Sequence, residues 1–417
     1  MAAALAADPA QRIACQLRDG PELLLLMLAA SASGKDLLLL SQDYSQERLA
    51  ELAARFDVDL LLSEDTGELG LNCRSRSFVD WCESVPALTT ATPSAEGDIL
   101  ILTTGTTGEP KCARYHWPDL LAQVGSREDG ADQRWLLAYR LNHFAGLQML
   151  AHILVSHAVL VLPESTAVSA ALEAMGRFEV SHVSSTPTFW RFALATLAGN
   201  DSGPSLAHIT LGSEPVSRDL LDDLARRFPE ARIVHIYALT EAGSCISVSD
   251  GRPGLPADIL QRPEDAPVRF RISEGELQVL SAHGMAGYVN SEQNPRTADG
   301  WLATGDLVRL EGDRIFFQGR SSETINVGGV KVQPLEVENI VNAVPGVELA
   351  RVFGRENPIM GQIVAIEMIV AVGFDAGEVE DAVREACMVL PRHGRPRSID
   401  IVDTIETRNL KVVRRGK

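Results

Sequence analysis

Four threonines, two glycines and a lysine share the stretch Leu102-Thr103-Thr104-Gly105-Thr106-Thr107-Gly108-Glu109-Pro110-Lys111. Such a segment can grip the β- and γ-phosphates of a nucleotide. Glycine lets the backbone reach positive φ and approach a ligand closely, threonine hydroxyls and freed N–H groups donate to phosphate oxygens, and lysine adds a point charge. It is not a Walker A loop, which requires Gly-Lys-Ser/Thr after a four-residue spacer; here Pro110 precedes Lys111 and Cys112 follows it. Taken alone, the segment could equally be a polar loop between two strands.

Further runs follow in a fixed order: Tyr237-Ala238-Leu239-Thr240-Glu241, Gly300-Trp301-Leu302-Ala303-Thr304-Gly305-Asp306-Leu307, Gly319-Arg320, Asn326-Val327-Gly328-Gly329-Val330-Lys331, Leu390-Pro391 and Thr407-Arg408-Asn409-Leu410-Lys411. With the threonine-rich loop, this series resembles the adenylate-forming superfamily of acyl- and aryl-CoA ligases, peptide-synthetase adenylation domains and luciferase. The resemblance spans residues 36–417. It implies ATP- and Mg²⁺-dependent joining of a carboxylic acid to the nucleotide α-phosphate, release of pyrophosphate, and transfer of the acyl group to CoA or to a phosphopantetheine arm.

Bringing two anions together demands positive charge and fixed donors where charge accumulates on phosphorus. By the resemblance, Thr103, Thr104, Gly105, Thr106, Thr107, Gly108 and Lys111 hold the β- and γ-phosphates. Glu241, after Thr240, holds Mg²⁺, a cation that prefers oxygen ligands. Lys411 bridges the acyl carboxylate and the α-phosphate, although Leu410 stands where the family has glycine. Asp306 accepts from the ribose hydroxyls and Arg320 also meets the ribose. Gly212, Ser213, Glu214 and Pro215 with Tyr237 wall the adenine.

Asn142, His143, Phe144 and Gly146 align with the family segment that opens the acid pocket. The aspartate that binds an amino-acid ammonium is absent there, which favours a plain carboxylic acid. His143 could line that pocket or be a satisfied core histidine. Ala238 replaces a common glycine and narrows one end, favouring an aromatic or short acid. Gly328, Gly329 and Lys331 resemble the passage for the pantetheine thiol, which serves CoA, slightly favoured, or an acyl carrier protein. Ser322 occupies the family's pivot, usually Asp or Lys. Two rarer readings are an oxidative, luciferase-like activity and a nucleotide-binding protein without turnover. Family members carry some fifty more residues before the strand at 36–40, so the floor of the acid pocket is expected to differ here.

Composition limits the alternatives. A net charge of -18 disfavours nucleic-acid and anionic-membrane binding, although residues 392–417 carry 8 basic against 3 acidic side chains. Whether that basic end is a solvated face or meets phosphates stays open. The six cysteines lack CxxC pairing, so neither zinc nor a disulfide framework is indicated and a cytoplasmic location is expected. The apolar run at 23–30 is too short to span a bilayer and follows an acidic leader unlike a secretory one.

Hydrophobic periodicity predicts an α/β protein. Strands at 36–40, 58–62, 99–103, 158–162, 180–184, 209–212 and 232–237 alternate with helices at 46–56, 144–157, 168–178, 187–197 and 218–228, the pattern of mostly parallel sheets covered by helices. Short strands at 270–272, 276–280, 306–311 and 314–318 predict a β-rich subdomain at about 265–319, with Gly312-Asp313 as a hairpin turn. A large domain over 1–320 and an α+β lid over 321–417 are expected, the lid built from helices at 334–342 and 377–389 and strands at 347–354 and 363–372.

Overall fold

The computed structural model describes residues 1–64, 73–84, 97–104, 110–124, 129–198, 203–290, 296–408, 411, 412 and 414. Its first sheet runs, in spatial order, Gly287–Val289, Pro110–His116, Asp98–Thr104, Asp36–Leu39, Arg12–Gln16, Leu60–Ser63 and Arg74–Ser77. The last five are mutually parallel. Leu60, Leu61 and Leu62 are all buried, as expected for a central strand covered on both faces. The helix Pro21–Ala32 starts with proline at its first turn after Gly20 and buries Leu23, Leu26, Met27, Ala29 and Ala30. The helix Gln46–Arg55 is capped by Ser45, whose side chain accepts from the Arg48 N–H, and buries Leu49, Leu52 and Ala53.

The strands expected at 36–40 and 58–62 are parallel members of this sheet without being neighbours. Arg12–Gln16 lies between them, pairing Ile13 with Leu37 on one side and with Leu60 on the other.

A second sheet orders Gly243–Val248, Arg232–Leu239, His208–Gly212, His182–Ser185, Arg134–Leu137 and Val159–Val161, parallel except for the antiparallel first edge. The helix Phe144–Ser156 shares one core with the first sheet and with Trp135 and Leu137 of the second. This places the residues before Phe144 between the two sheets. The third sheet is antiparallel, in the order Leu255–Pro256, Arg314–Arg320, Leu302–Glu311, Glu276–Ser281 and Val268–Ser273. The two-residue turn between its strands Leu302–Glu311 and Arg314–Arg320 carries Gly312 at φ 57°.

Beyond it, Val330–Val332, Ile325–Val327, Gly361–Val370, Val347–Asn357 and Ser398–Ile401 form a fourth sheet with its own core. The helix Pro334–Asn342 forms as expected. The helix expected over 377–389 is α-helical only over Ala376–Ala386, with Asp375 accepting from the Gly377 and Glu378 N–H groups at its start, and tightens to a 3₁₀ turn over Cys387–Val389. A two-stranded hairpin, Thr407–Arg408 with Lys411–Val412, ends the described chain. Among the described residues no helix is long and apolar enough to cross a membrane.

Candidate active site

The first sheet brings the phosphate-loop flanks to a carboxylate. Thr103 and Lys111 face each other across the antiparallel pair that leads into and out of the loop. The strand Gly287–Val289 pairs with Pro110–His116 and so delivers Tyr288 beside them. The Tyr288 hydroxyl donates to Glu241 Oε1 at 2.6 Å, and Lys111 Nζ sits 5.2 Å from the Tyr288 ring centroid. Burial and the Glu241 carboxylate push the Tyr288 phenol far above its usual range, so it stays protonated as a donor. From the neighbouring strand the Tyr115 hydroxyl donates to the Thr240 carbonyl. Thr240 and Glu241 are thereby held over the loop's base. Gly105, Thr106, Thr107 and Gly108 lie outside the described residues, as does the Thr104 side chain.

Tyr288 and Tyr115 escaped the sequence reading. Their only signal is a lone aromatic in each of two short strands, and the strand Gly287–Val289 is three residues long.

On the third sheet, Asp306 is 7% exposed. Tyr237 donates to its Oδ2 at 2.7 Å, and Arg320 Nε lies 3.0 Å from Oδ1. The hairpin Leu302–Glu311 with Arg314–Arg320 produces this contact through a bulge. Glu311 faces Arg314, a register that continued would set Asp306 opposite Gly319; the shift between Leu307 and Val308 makes Arg320 its partner instead. Re-aiming a side chain is what bulges beside sites do. Burial raises the Asp306 carboxyl, opposed by the Arg320 charge and the Tyr237 hydrogen bond. Each carboxylate oxygen keeps a second lone pair for an incoming hydroxyl.

Gly212 ends the strand His208–Gly212, and Ser213, Glu214 and Pro215 follow it. Ser213 holds φ at 74°, a strained position for a side-chain-bearing residue of the kind that clusters at ligand sites. Glu214 accepts from the Thr188 N–H and hydroxyl, both at 3.0 Å, at the first turn of the helix Pro187–Leu197. The Tyr237 ring lies tilted by 37° against that of Phe317, 5.2 Å between centroids, so the residue that donates to Asp306 is also held by the third sheet.

His143 caps the helix Phe144–Ser156 through Nδ1, which accepts from the Ala145 N–H at 3.4 Å, and its ring lies parallel to Tyr139. Phe144 stacks on Tyr115 at 5.4 Å, so the acid-pocket segment and the Thr240-Glu241 turn meet through one aromatic pair. Asn142 is half-buried just ahead. Ala238 sits at an irregularity of the pairing between Arg232–Leu239 and Gly243–Val248 and packs against the same core.

Gly146 has a structural reason of its own: a Cβ there would lie 2.1 Å from the Arg140 carbonyl oxygen. Gly146→Ala is therefore expected to destabilise the fold by about 1–3 kcal/mol, the usual cost of overpacking. A urea titration checks this, and an unchanged midpoint would contradict the close approach.

In the fourth sheet, Gly328 and Gly329 form the two-residue turn between Ile325–Val327 and Val330–Val332, at φ 60° and 88°. Positive φ at both positions is the requirement of a type I′ hairpin. The Gly328 N–H donates to the Met360 carbonyl at 2.8 Å, and Lys331 is exposed alongside. Ser322 is exposed in the 3₁₀ turn Ser321–Glu323, directly after Arg320. Backbone pairing sets Lys411 opposite Arg408, on a strand lying beside the helix Pro187–Leu197; the Lys411 side chain lies outside the described residues.

A hard-cation site is compatible with this cleft. The described residues contain no cluster of three or more His, Cys, Asp or Glu able to hold a metal. A lone carboxylate such as Glu241 suits Mg²⁺, which takes one or two carboxylates and fills its remaining positions with water and substrate phosphates.

The parallel sheets, the flanks of the threonine loop joined through Tyr288 to the Glu241 carboxylate, and the tethered aspartate fit an adenylate-forming enzyme. Residues 1–289 match the family model described as AMP-binding enzyme, and the chain belongs to that family. It is 27% identical over 372 residues to 2-succinylbenzoate–CoA ligase of Bacillus subtilis, covering 85% of this chain and 72% of that protein. It is 28% identical over 334 residues to the probable 2-succinylbenzoate–CoA ligase of Mycobacterium tuberculosis, covering 76% and 82% respectively. Among solved structures, o-succinylbenzoate CoA synthetase of Bacillus subtilis with its acyl-adenylate intermediate superposes with a TM-score of 0.79 at 22% identity, over 99% of this chain and 90% of that one. An anthranilate CoA ligase with anthranoyl-AMP gives 0.80 at 18% identity, over 97% and 86%.

Proposed function

We propose that this protein is an AMP-forming ligase that activates an aromatic carboxylic acid, of the 2-succinylbenzoate type, and passes it to CoA. One observation carries the reading: Asp306, buried between Tyr237 and Arg320, is a ready acceptor for ribose hydroxyls. In the first half-reaction a carboxylate oxygen bonds to the α-phosphorus as the bond to pyrophosphate breaks. In the second, the CoA thiol loses its proton and attacks the acyl carbon, and AMP leaves. Mg²⁺ on Glu241 would neutralise phosphate charge. Lys111 and the threonine loop hold the leaving pyrophosphate, Glu214 and Tyr237 flank the base, and Lys411 balances charge at the α-phosphate. Asn142, His143, Phe144 and Ala238 border the acid.

The named CoA ligases among the relatives support CoA as acceptor over a carrier protein. They also supply the acid class, in line with the narrowing at Ala238. A cytoplasmic location fits a CoA-consuming enzyme. Residues 321–417 are proposed to move as one lid.

The test is pyrophosphate release with 2-succinylbenzoate, benzoate, anthranilate and acetate, followed by thioester formation with CoA. Release with none of the aromatic acids would sink the proposal and leave a nucleotide-binding protein.

Asp306→Ala is expected to weaken binding of a non-hydrolysable ATP analogue by about 10- to 100-fold, since a hydrogen bond to a charged group contributes about 1.5–3 kcal/mol. Affinity for the acid alone should hold. Unchanged nucleotide affinity in a calorimetric titration would remove Asp306 from the ribose site.

A further inference from the structure

The hairpin that carries Lys411 has only two short strands, Thr407–Arg408 and Lys411–Val412, and an isolated two-stranded hairpin is marginally stable at best. A lysine that must meet an α-phosphate needs a firmer support. Arg414, three positions after Lys411, is built to supply it. Its Nε lies 3.0 and 2.9 Å from the two oxygens of Glu338, and a terminal nitrogen lies 2.9 Å from Oε2. The other terminal nitrogen reaches Glu323 Oε2 at 3.4 Å. Glu338 is 3% exposed on the helix Pro334–Asn342 and also accepts from the Val352 N–H at 3.0 Å.

One guanidinium therefore ties the residue after the hairpin to the helix Pro334–Asn342 and to the turn Ser321–Glu323 that holds Ser322, while Glu338 itself holds the strand Val347–Asn357. Burial works against the Arg414 charge, and the Glu338, Glu323 and Glu214 carboxylates outweigh it. Three residues of chain span at most about 10 Å, which limits how far Lys411 can stray once Arg414 is fixed.

We propose that Arg414, held by Glu338 and Glu323, is a positioning residue that aims Lys411 at the α-phosphate and so serves the adenylation half-reaction selectively. The proposal rests on the reading of Lys411 as the adenylation lysine. It uses no group that touches substrate; Arg414 acts through the backbone of the strand before it.

The test compares pyrophosphate exchange with thioester formation from pre-made acyl-adenylate, using 2-succinylbenzoate, in full-length Arg414→Met combined with Glu338→Gln, which avoids leaving a buried unpaired charge. Adenylation is expected to fall about 100-fold, the scale of a misplacement near 1 Å, while thioester formation stays within about twofold. Equal loss of both half-reactions would show a merely structural role and overturn the proposal, as would unchanged adenylation. If the double variant does not fold, Glu323→Gln keeps the Glu338 pair and removes only the outer tether. It is expected to slow adenylation about tenfold at an unchanged melting temperature, and no slowing overturns the proposal. Lys411→Ala run in parallel separates the two readings. If it too leaves adenylation intact, the lysine assignment fails; if it abolishes adenylation while the Arg414 and Glu323 variants do not slow it, only the positioning role fails.

Discussion

Lys411→Ala is expected to lower acyl-adenylate formation by at least about 100-fold while leaving transfer from pre-made adenylate to CoA nearly untouched. The asymmetry follows from where charge develops. During adenylation a carboxylate meets a polyanionic phosphate, and removing one preorganised donor from such a transition state costs about 10²–10³ in rate. During thioester formation the new charge appears on the acyl oxygen and the departing group is AMP, so a cation at the α-phosphate contributes less. The described backbone is consistent with this: Lys411 lies on a strand beside the helix whose first turn binds Glu214. Single-turnover pyrophosphate release and thioester assays on the same preparation check it. Near wild-type adenylation would strike Lys411 from the site.

Much of the architecture is legible in the sequence because apolar runs such as Leu60-Leu61-Leu62 and Ile99-Leu100-Ile101 alternate with amphipathic segments such as Gln46–Arg55, and both ends of that period are physical consequences of burial. Arg12–Gln16 is illegible for the same reason inverted. Its five residues include Arg, Cys and Gln, so no run announces a strand, and its place between Asp36–Leu39 and Leu60–Ser63 is a long-range fact of topology. The Asp306–Arg320 pair divides similarly. Asp306 and Arg320 stand out by motif, and Gly312-Asp313 announces the hairpin joining them, yet uninterrupted pairing would oppose Asp306 to Gly319. The one-residue bulge that corrects this has no sequence signature. Tyr288 and Glu338 belong to the same class, since each acquires its role from partners distant in the chain: Glu241 for the first, Arg414 for the second.

The Gly328-Gly329 turn and Lys411 stand on the same side of Ser322 in the chain, yet one is assigned to thiol delivery and the other to adenylation. A single arrangement cannot present both to one α-phosphate site, so the segment beyond Ser322 is expected to rotate about it, as element-terminal residues that absorb a φ/ψ change allow. Ser321 and Ser322 are exposed and offer no packed side chain to resist. Ser322→Pro fixes φ near -65°, inside the range of the 3₁₀ turn it occupies here, and the strain it places on Ser321 before it is confined to this exposed turn. It is therefore expected to keep pyrophosphate exchange within a few-fold and to lower thioester formation by about 100-fold or more. Ser321→Pro is the control. Arg320 is extended, with φ -94° and ψ 140°, the conformation favoured before proline, and a proline at the first position of the turn leaves Ser322 free. That variant should retain both half-reactions. Equal loss of both half-reactions in Ser322→Pro, or loss of neither, would place the pivot elsewhere.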